Sequence, residues 1–141
     1  MSTYLTSKLR LRLIEADNQH CAYCHTREAI TGQPMTIDHV IPESQGGLTE
    51  FDNLCFCCRR CNEFKGTKIT APDPLTGEVV SLYHPRLEKW HEHFAWDETG
   101  TLIVGLTAMG RATVTGLNMN DLIIIAARRR WVVVGWHPPD F

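Results

Sequence analysis

A chain of 141 residues fits one domain, or one small domain with an extension, and an apolar share of 43% allows a modest core. A formal charge of −2 and a pI near 6.4 exclude a strongly basic nucleic-acid binder, so phosphate contacts must come from local clusters. No apolar run reaches the roughly eighteen residues of a membrane span, and the first residues lack the apolar stretch of a secretory leader. The expectation is a soluble cytoplasmic protein whose six cysteines are metal ligands and buried thiols rather than disulfides.

Leu5, Leu9 and Leu13 recur at four-residue spacing and predict a helix over 4–16, with Lys8, Arg12 and Glu15 on its wet side. Asp17 and Asn18 end it ahead of Cys21-Ala-Tyr-Cys24, whose flanking His20 and His25 read as surface histidines. Thr31–Pro34 is a turn, and 35–41 reads as a strand ended by Pro42. A Gly46-Gly47 loop follows, then a second strand over 54–58 and a helix from about Arg60 to Lys65, stopped by Gly66. This strand–loop–strand–helix order closes a first region, 1–70. The remainder, 71–141, reads as an α+β extension. It has a strand over 78–83, a helical segment over 85–94 carrying Leu87, Trp90, His91 and Phe94 on one side, and a strand over 101–106. Two helices follow, capped by Thr107 and by Asn120.

Two Cys-x-x-Cys pairs far apart in sequence are what a four-thiolate zinc site requires, each knuckle presenting both sulfurs to one ion. Cys55-Phe-Cys-Cys58 overlaps Cys58-Arg-Arg-Cys61, which leaves two pairings for the second half. An extended strand would point Cys55 and Cys58 to opposite faces, whereas Cys58 and Cys61 span a strand-to-helix bend. The expected set is therefore Cys21, Cys24, Cys58 and Cys61, with Cys55 and Cys57 as spare buried thiols. Inside the closed segment, Asp38 suits an oxygen-preferring ion such as Mg2+ or Mn2+, and His39 is the side chain suited to take a proton from water near neutrality. Asn53 reads either as a loop brace or as a partner orienting His39. Asn62 reads either as a helix N-cap or as a metal ligand. Arg59, Arg60, Lys65 and Lys68 are either phosphate contacts or solvated charges. Arg128, Arg129 and Arg130 carry the same two readings, and the aromatic residues of the second half read as core.

The ordered pattern Cys21-x-x-Cys24, Ile37-Asp38-His39-Val-Ile-Pro42, Gly46-Gly47, Asn53-Leu54, Cys58-x-x-Cys61-Asn62-x-x-Lys65-Gly66 closely resembles the HNH endonucleases, the ββα-metal (His-Me finger) nucleases, in their four-cysteine branch. The resemblance covers about residues 20–68. It implies a ββα-metal fold stapled by structural zinc, with His39 as general base and Asn53 as the loop-shaping asparagine. Asp38 and Asn62 would hold the catalytic divalent ion, and DNA would be the substrate. Asn62 stands where the family name has its final histidine. A bacterial or phage origin is implied as well. The rival expectation is a non-catalytic zinc module that binds nucleic acid or protein. A third is a nuclease whose C-terminal half reads a modified base.

Overall fold

The structure is a computed structural model, described here for residues 5–141. The chain forms two compact units. The first contains Met1–Ile69 together with His84–Glu88, and the second contains Thr70–Tyr83 and Lys89–Phe141. This differs from a single cut after residue 70 in that five residues from beyond the cut, His84–Glu88, belong with the first unit.

In the first unit, α1 runs over Ser7–Ala16. Its N-cap is Thr6, whose hydroxyl accepts the Leu9 amide at 3.1 Å. The part of the expected helix before residue 5 lies outside the described residues. Leu13 is fully buried, and Asn18 and Gln19 both take positive φ, which turns the chain out of the helix. A short α2, Glu28–Thr31, precedes β1, Thr36–His39. β1 pairs antiparallel with β2, Leu54–Cys57, placing His39 opposite Leu54 and Asp38 opposite Cys55. The helix α3, Arg59–Lys65, follows at once, so the strand–loop–strand–helix order is an observed ββα unit. β1 is shorter than the expected 35–41 because beyond His39 the chain turns into the loop that Asn53 holds.

In the second unit, β3 (Thr70–Pro72) and β4 (Val79–Ser81) form one hairpin. A second hairpin joins β5 (Phe94–Trp96) to β6 (Ile103–Gly105). The helix expected over 85–94 is reduced to α4, Trp90–His93. Lys89 is extended and serves as its N-cap, and Arg86 ahead of it is held within the first unit by Asp17 and Leu54. Leu87, expected on the buried side, is exposed. Trp90 and Phe94 are buried with Tyr83, Ile103, Leu117 and Met119, as aromatic core residues should be. Trp136 is instead exposed. Thr107 caps α5, Ala108–Gly116, by accepting the Gly110 amide at 3.0 Å. α6, Leu122–Val133, is capped by Asp121 rather than Asn120. The Asn120 amide instead pairs with both backbone groups of Ile103 at 2.9 Å.

Two buried charges organise this unit. Arg128, read from sequence as solvated or DNA-facing, is fully buried and donates to the carbonyls of Thr101 and Met119. Asp73 is enclosed at the β3–β4 turn, where it takes Nε and Nη2 of Arg111 at 2.9 and 2.8 Å, the Leu75 amide and the Thr76 hydroxyl. The Arg111 guanidinium, foremost, holds the Asp73 carboxyl well below the usual carboxylate range. A depressed folded-state pKa stabilises the fold above the unfolded value of about 3.9 and loses that contribution as pH falls through the folded value. Arg111→Ala should therefore begin acid unfolding of this unit at a higher pH than wild type. All four tryptophans lie in this unit, so intrinsic fluorescence during an acid titration reads the shift directly.

Candidate active site

The first knuckle is a tight turn in which Cys21 N donates to Thr26 O and His25 N donates to Cys21 O, both at 2.9 Å. His25 adopts φ +59, and Ala22 N reaches Phe56 O at 2.8 Å, docking the knuckle on β2. The second knuckle is the bend from β2 into α3. Cys58 is the helix N-cap there, its sulfur accepting the Cys61 amide. The ligand atoms of Cys21, Cys24, Cys58 and Cys61 all lie within 4.8 Å of one another. The Cys24 and Cys58 sulfurs are 3.7 Å apart, close to the edge of about 3.8 Å that a tetrahedron with Zn–S bonds of about 2.3 Å requires. Cys55 and Cys57 are buried and outside the cluster. As thiols the cluster is electrostatically closed: burial, foremost, pushes Cys21 up, and for Cys58 and Cys61 the leading cause is the hydrogen bond with Cys21. Four thiolates here need a cation, and this donor set suits zinc. His20 and His25 correct an expectation: both are buried rather than on the surface, and neither joins the cluster.

Asp38 and His39 are neighbours in sequence with different surroundings. Asp38 is 5% exposed and accepts the Tyr23 hydroxyl at 2.8 Å. Lys65, 1% exposed, places its ammonium 3.1 Å from Asp38 Oδ2 and donates to the His39 carbonyl, also at 3.1 Å. Burial, foremost, pushes the Tyr23 phenol up and keeps it a donor. Lys65, expected among surface phosphate contacts, is therefore an internal ion-pair partner of Asp38. Position 65 lies three residues after Asn62 on α3, the spacing at which helix side chains share a face. Asn62 Nδ2 donates to Thr36 Oγ1 at 2.9 Å, so Asn62 meets the face of β1 that carries Thr36 and Asp38. Asn62 is not the helix cap, since Cys58 holds that position.

The His39 ring is partly exposed and turned toward the loop. Its Nε2 lies 2.8 Å from Thr49 Oγ1 and 3.7 Å from a Glu43 carboxylate oxygen. A carboxylate favours an N–H, so we assign the proton to Nε2, which leaves the lone pair on Nδ1. Asn53 is buried and acts on the loop rather than on the ring. Its Oδ1 accepts Ile41 N, its Nδ2 donates to the carbonyls of Ile41 and Leu48, all at 2.9 Å, and its own carbonyl accepts Val40 N at 2.8 Å. Gly47 permits this closeness, because a Cβ there would lie 1.7 Å from the Ile41 oxygen. Thr49 and Tyr23 carried no signal in the sequence, since a lone hydroxyl has no spacing to read.

Residues 21–73 match the HNH endonuclease family. Two bacterial proteins are similar to the chain. Septu protein PtuB of Bacillus thuringiensis is 25% identical over 116 residues, covering 81% of this chain and 42% of that protein. The CRISPR-associated endonuclease Cas9 of Corynebacterium diphtheriae is 36% identical over 58 residues, covering 40% of this chain and 5% of Cas9. The chain thus spans less than half the length of either relative. No solved structure matches it. Among the described residues, no helix is long and apolar enough to cross a membrane.

Of the expected surface cations near the HNH segment, Arg59 is exposed and paired with Glu63 at 3.2 Å, a contact worth little in solvent. Arg60 lies over the Phe64 ring, and Lys68 is exposed with its ammonium on the Phe64 carbonyl.

Two outcomes follow for this site. Elemental analysis should find about one zinc per chain in wild type and in Cys55→Ala, with most of it lost in Cys58→Ser and Cys61→Ser. Zinc retained by both serine variants would remove the cluster as its holder. Gly47→Ala should cost about 1–3 kcal/mol in thermal melting, because the loop backbone must shift to admit a methyl group.

Proposed function

We propose that the HNH segment is a metal-dependent endonuclease that hydrolyses DNA phosphodiester bonds. The observation that carries this reading is the setting of His39: a partly exposed imidazole whose Nε2 lies on the Thr49 hydroxyl, beside a loop pinned by Asn53. In this reading His39 Nδ1 takes the proton of the attacking water, and Thr49 and Glu43 stabilise the ring as it becomes cationic. Asn53 keeps in place the loop that follows His39 and carries Thr49, and the four cysteines hold structural zinc that ties α3 to the first knuckle.

Asp38 and Asn62 would hold the catalytic divalent ion, Mg2+ or Mn2+. With Asn62 Nδ2 engaged on Thr36, the amide oxygen is the atom that would serve an ion, and together with the Asp38 carboxylate it would make an oxygen set suited to a hard cation. Such an ion supplies neutralisation of the charge that develops on phosphorus and on the departing 3′ oxygen. Lys65 already lies on Asp38, so an ion sharing that carboxylate either tolerates the ammonium nearby or displaces it. Arg59, Arg60 and Lys68 are the surface candidates for phosphate contact, and the net negative charge makes binding weak and salt-sensitive.

The competing reading is a non-catalytic zinc module, and the observation in its favour is the Asp38–Lys65 pair, which already satisfies the carboxylate. Supercoiled-plasmid relaxation separates the two. Cleavage should require Mg2+ or Mn2+, stop in EDTA, and fall by about 100-fold or more in His39→Ala while zinc content is unchanged. Intact zinc and DNA binding without cleavage in any metal would favour the module.

A further inference from the structure

The family match ends at residue 73, yet His84–Glu88 beyond it belong to the first unit, and one of these residues grips the chain around His39. That residue is Arg86. Its Nε donates to the Leu54 carbonyl at 2.8 Å, and Leu54 is the residue paired with His39 across β1 and β2. Its Nη2 forms a short ion pair with Asp17, whose same carboxylate oxygen accepts the Phe56 amide at 2.8 Å. The guanidinium lies 4.8 Å from the centre of the Phe51 ring, and Arg12 of α1 lies 3.8 Å from that centre. The Arg86 side chain is 10% exposed, so these contacts are made largely out of water.

Phe51 and Leu54 bracket Asn53. One guanidinium therefore holds the chain on both sides of the asparagine whose amide fixes Ile41 and Leu48. The loop so fixed runs from His39 to Thr49, the residue on the His39 ring. The connection is contiguous: Arg86 to Phe51 and Leu54, then Asn53, then the loop, then the imidazole.

We infer that Arg86 is a positioning residue for His39, setting the ring through the Asn53 brace without touching substrate. This rests on the nuclease reading for its kinetic consequence but not for its structural one. A planar guanidinium reaches a carbonyl, a carboxylate and a ring face at once, whereas an ammonium on a flexible stem does not.

The test compares wild type, Arg86→Ala, Arg86→Lys and Phe51→Leu for plasmid cleavage, DNA affinity, zinc content, melting temperature and the 13C resonance of the His39 ring. The expected result for Arg86→Ala is a kcat lowered about 10- to 100-fold, as displacement of a reacting group by about an ångström produces, with DNA affinity and zinc retained. The His39 ring signal should move or broaden, and Arg86→Lys should not restore either property. Phe51→Leu, which keeps apolar bulk but removes the ring face, should give a smaller loss in the same direction and decides the matter should Arg86→Ala fail to fold. A wild-type rate and unmoved His39 signal in Arg86→Ala, or in Phe51→Leu in its place, would overturn the inference. So would a rate loss matched by loss of folded, zinc-loaded protein. Absence of cleavage by wild type itself would count against the nuclease reading alone, because the His39 ring signal still reports on Arg86.

Discussion

The first unit depends on bringing four thiols together in a place from which water is excluded. Burial and mutual proximity both oppose ionisation of Cys21, Cys58 and Cys61, and a divalent cation bound by the four sulfurs reverses that opposition. The consequence reaches beyond the cluster. Cys58 and Cys61 set the start of α3, and α3 carries Asn62 and Lys65 to the face of β1 that holds Thr36 and Asp38. A short helix of this kind has little intrinsic stability in water, so its direction is set by what anchors its first turn. The knuckle is that anchor.

The strand gives Asp38 and His39 different environments. Asp38 lies in a buried, hydrogen-bonded setting with Tyr23 and Lys65, while His39 stays partly exposed beside Thr49 and Glu43. Alternation along a strand accounts for the separation. It places one side chain in the interior near α3 and leaves the other available to solvent at the loop. Lys65 spans the two, since it meets the Asp38 carboxylate with its ammonium and also the backbone carbonyl of His39.

The elements that were legible in the sequence are those specified by local spacing. The preference for Cys58 and Cys61 over Cys55 followed from the geometry of a strand against that of a bend, and the sulfur cluster has those members. The ββα order followed from strand and helix patterning closed by Gly66. What was not legible depends on contacts distant in sequence. Lys65 and Arg128 were read as surface charges because charge usually seeks water, and each is buried because a specific set of oxygens awaits it. His20 and His25 are buried where a surface position was expected. The helix expected over 85–94 shrank to α4 because Arg86 has partners at Asp17, just past α1, and at Leu54 in β2, about seventy and thirty residues away, which no local pattern announces.

The return of His84–Glu88 to the first unit makes that unit discontinuous along the chain. Its last piece arrives only after the Thr70–Tyr83 excursion has been traversed, and pairing of β3 with β4 shortens that excursion to a hairpin. Closing a flexible loop has an entropic cost that grows slowly with its length, and a preformed hairpin lowers it. Assembly of the first unit is thereby coupled to local order in the second, so the two are expected to gain structure cooperatively. A fragment ending before the hairpin would lack not only Arg86 but also the chain closure that delivers it.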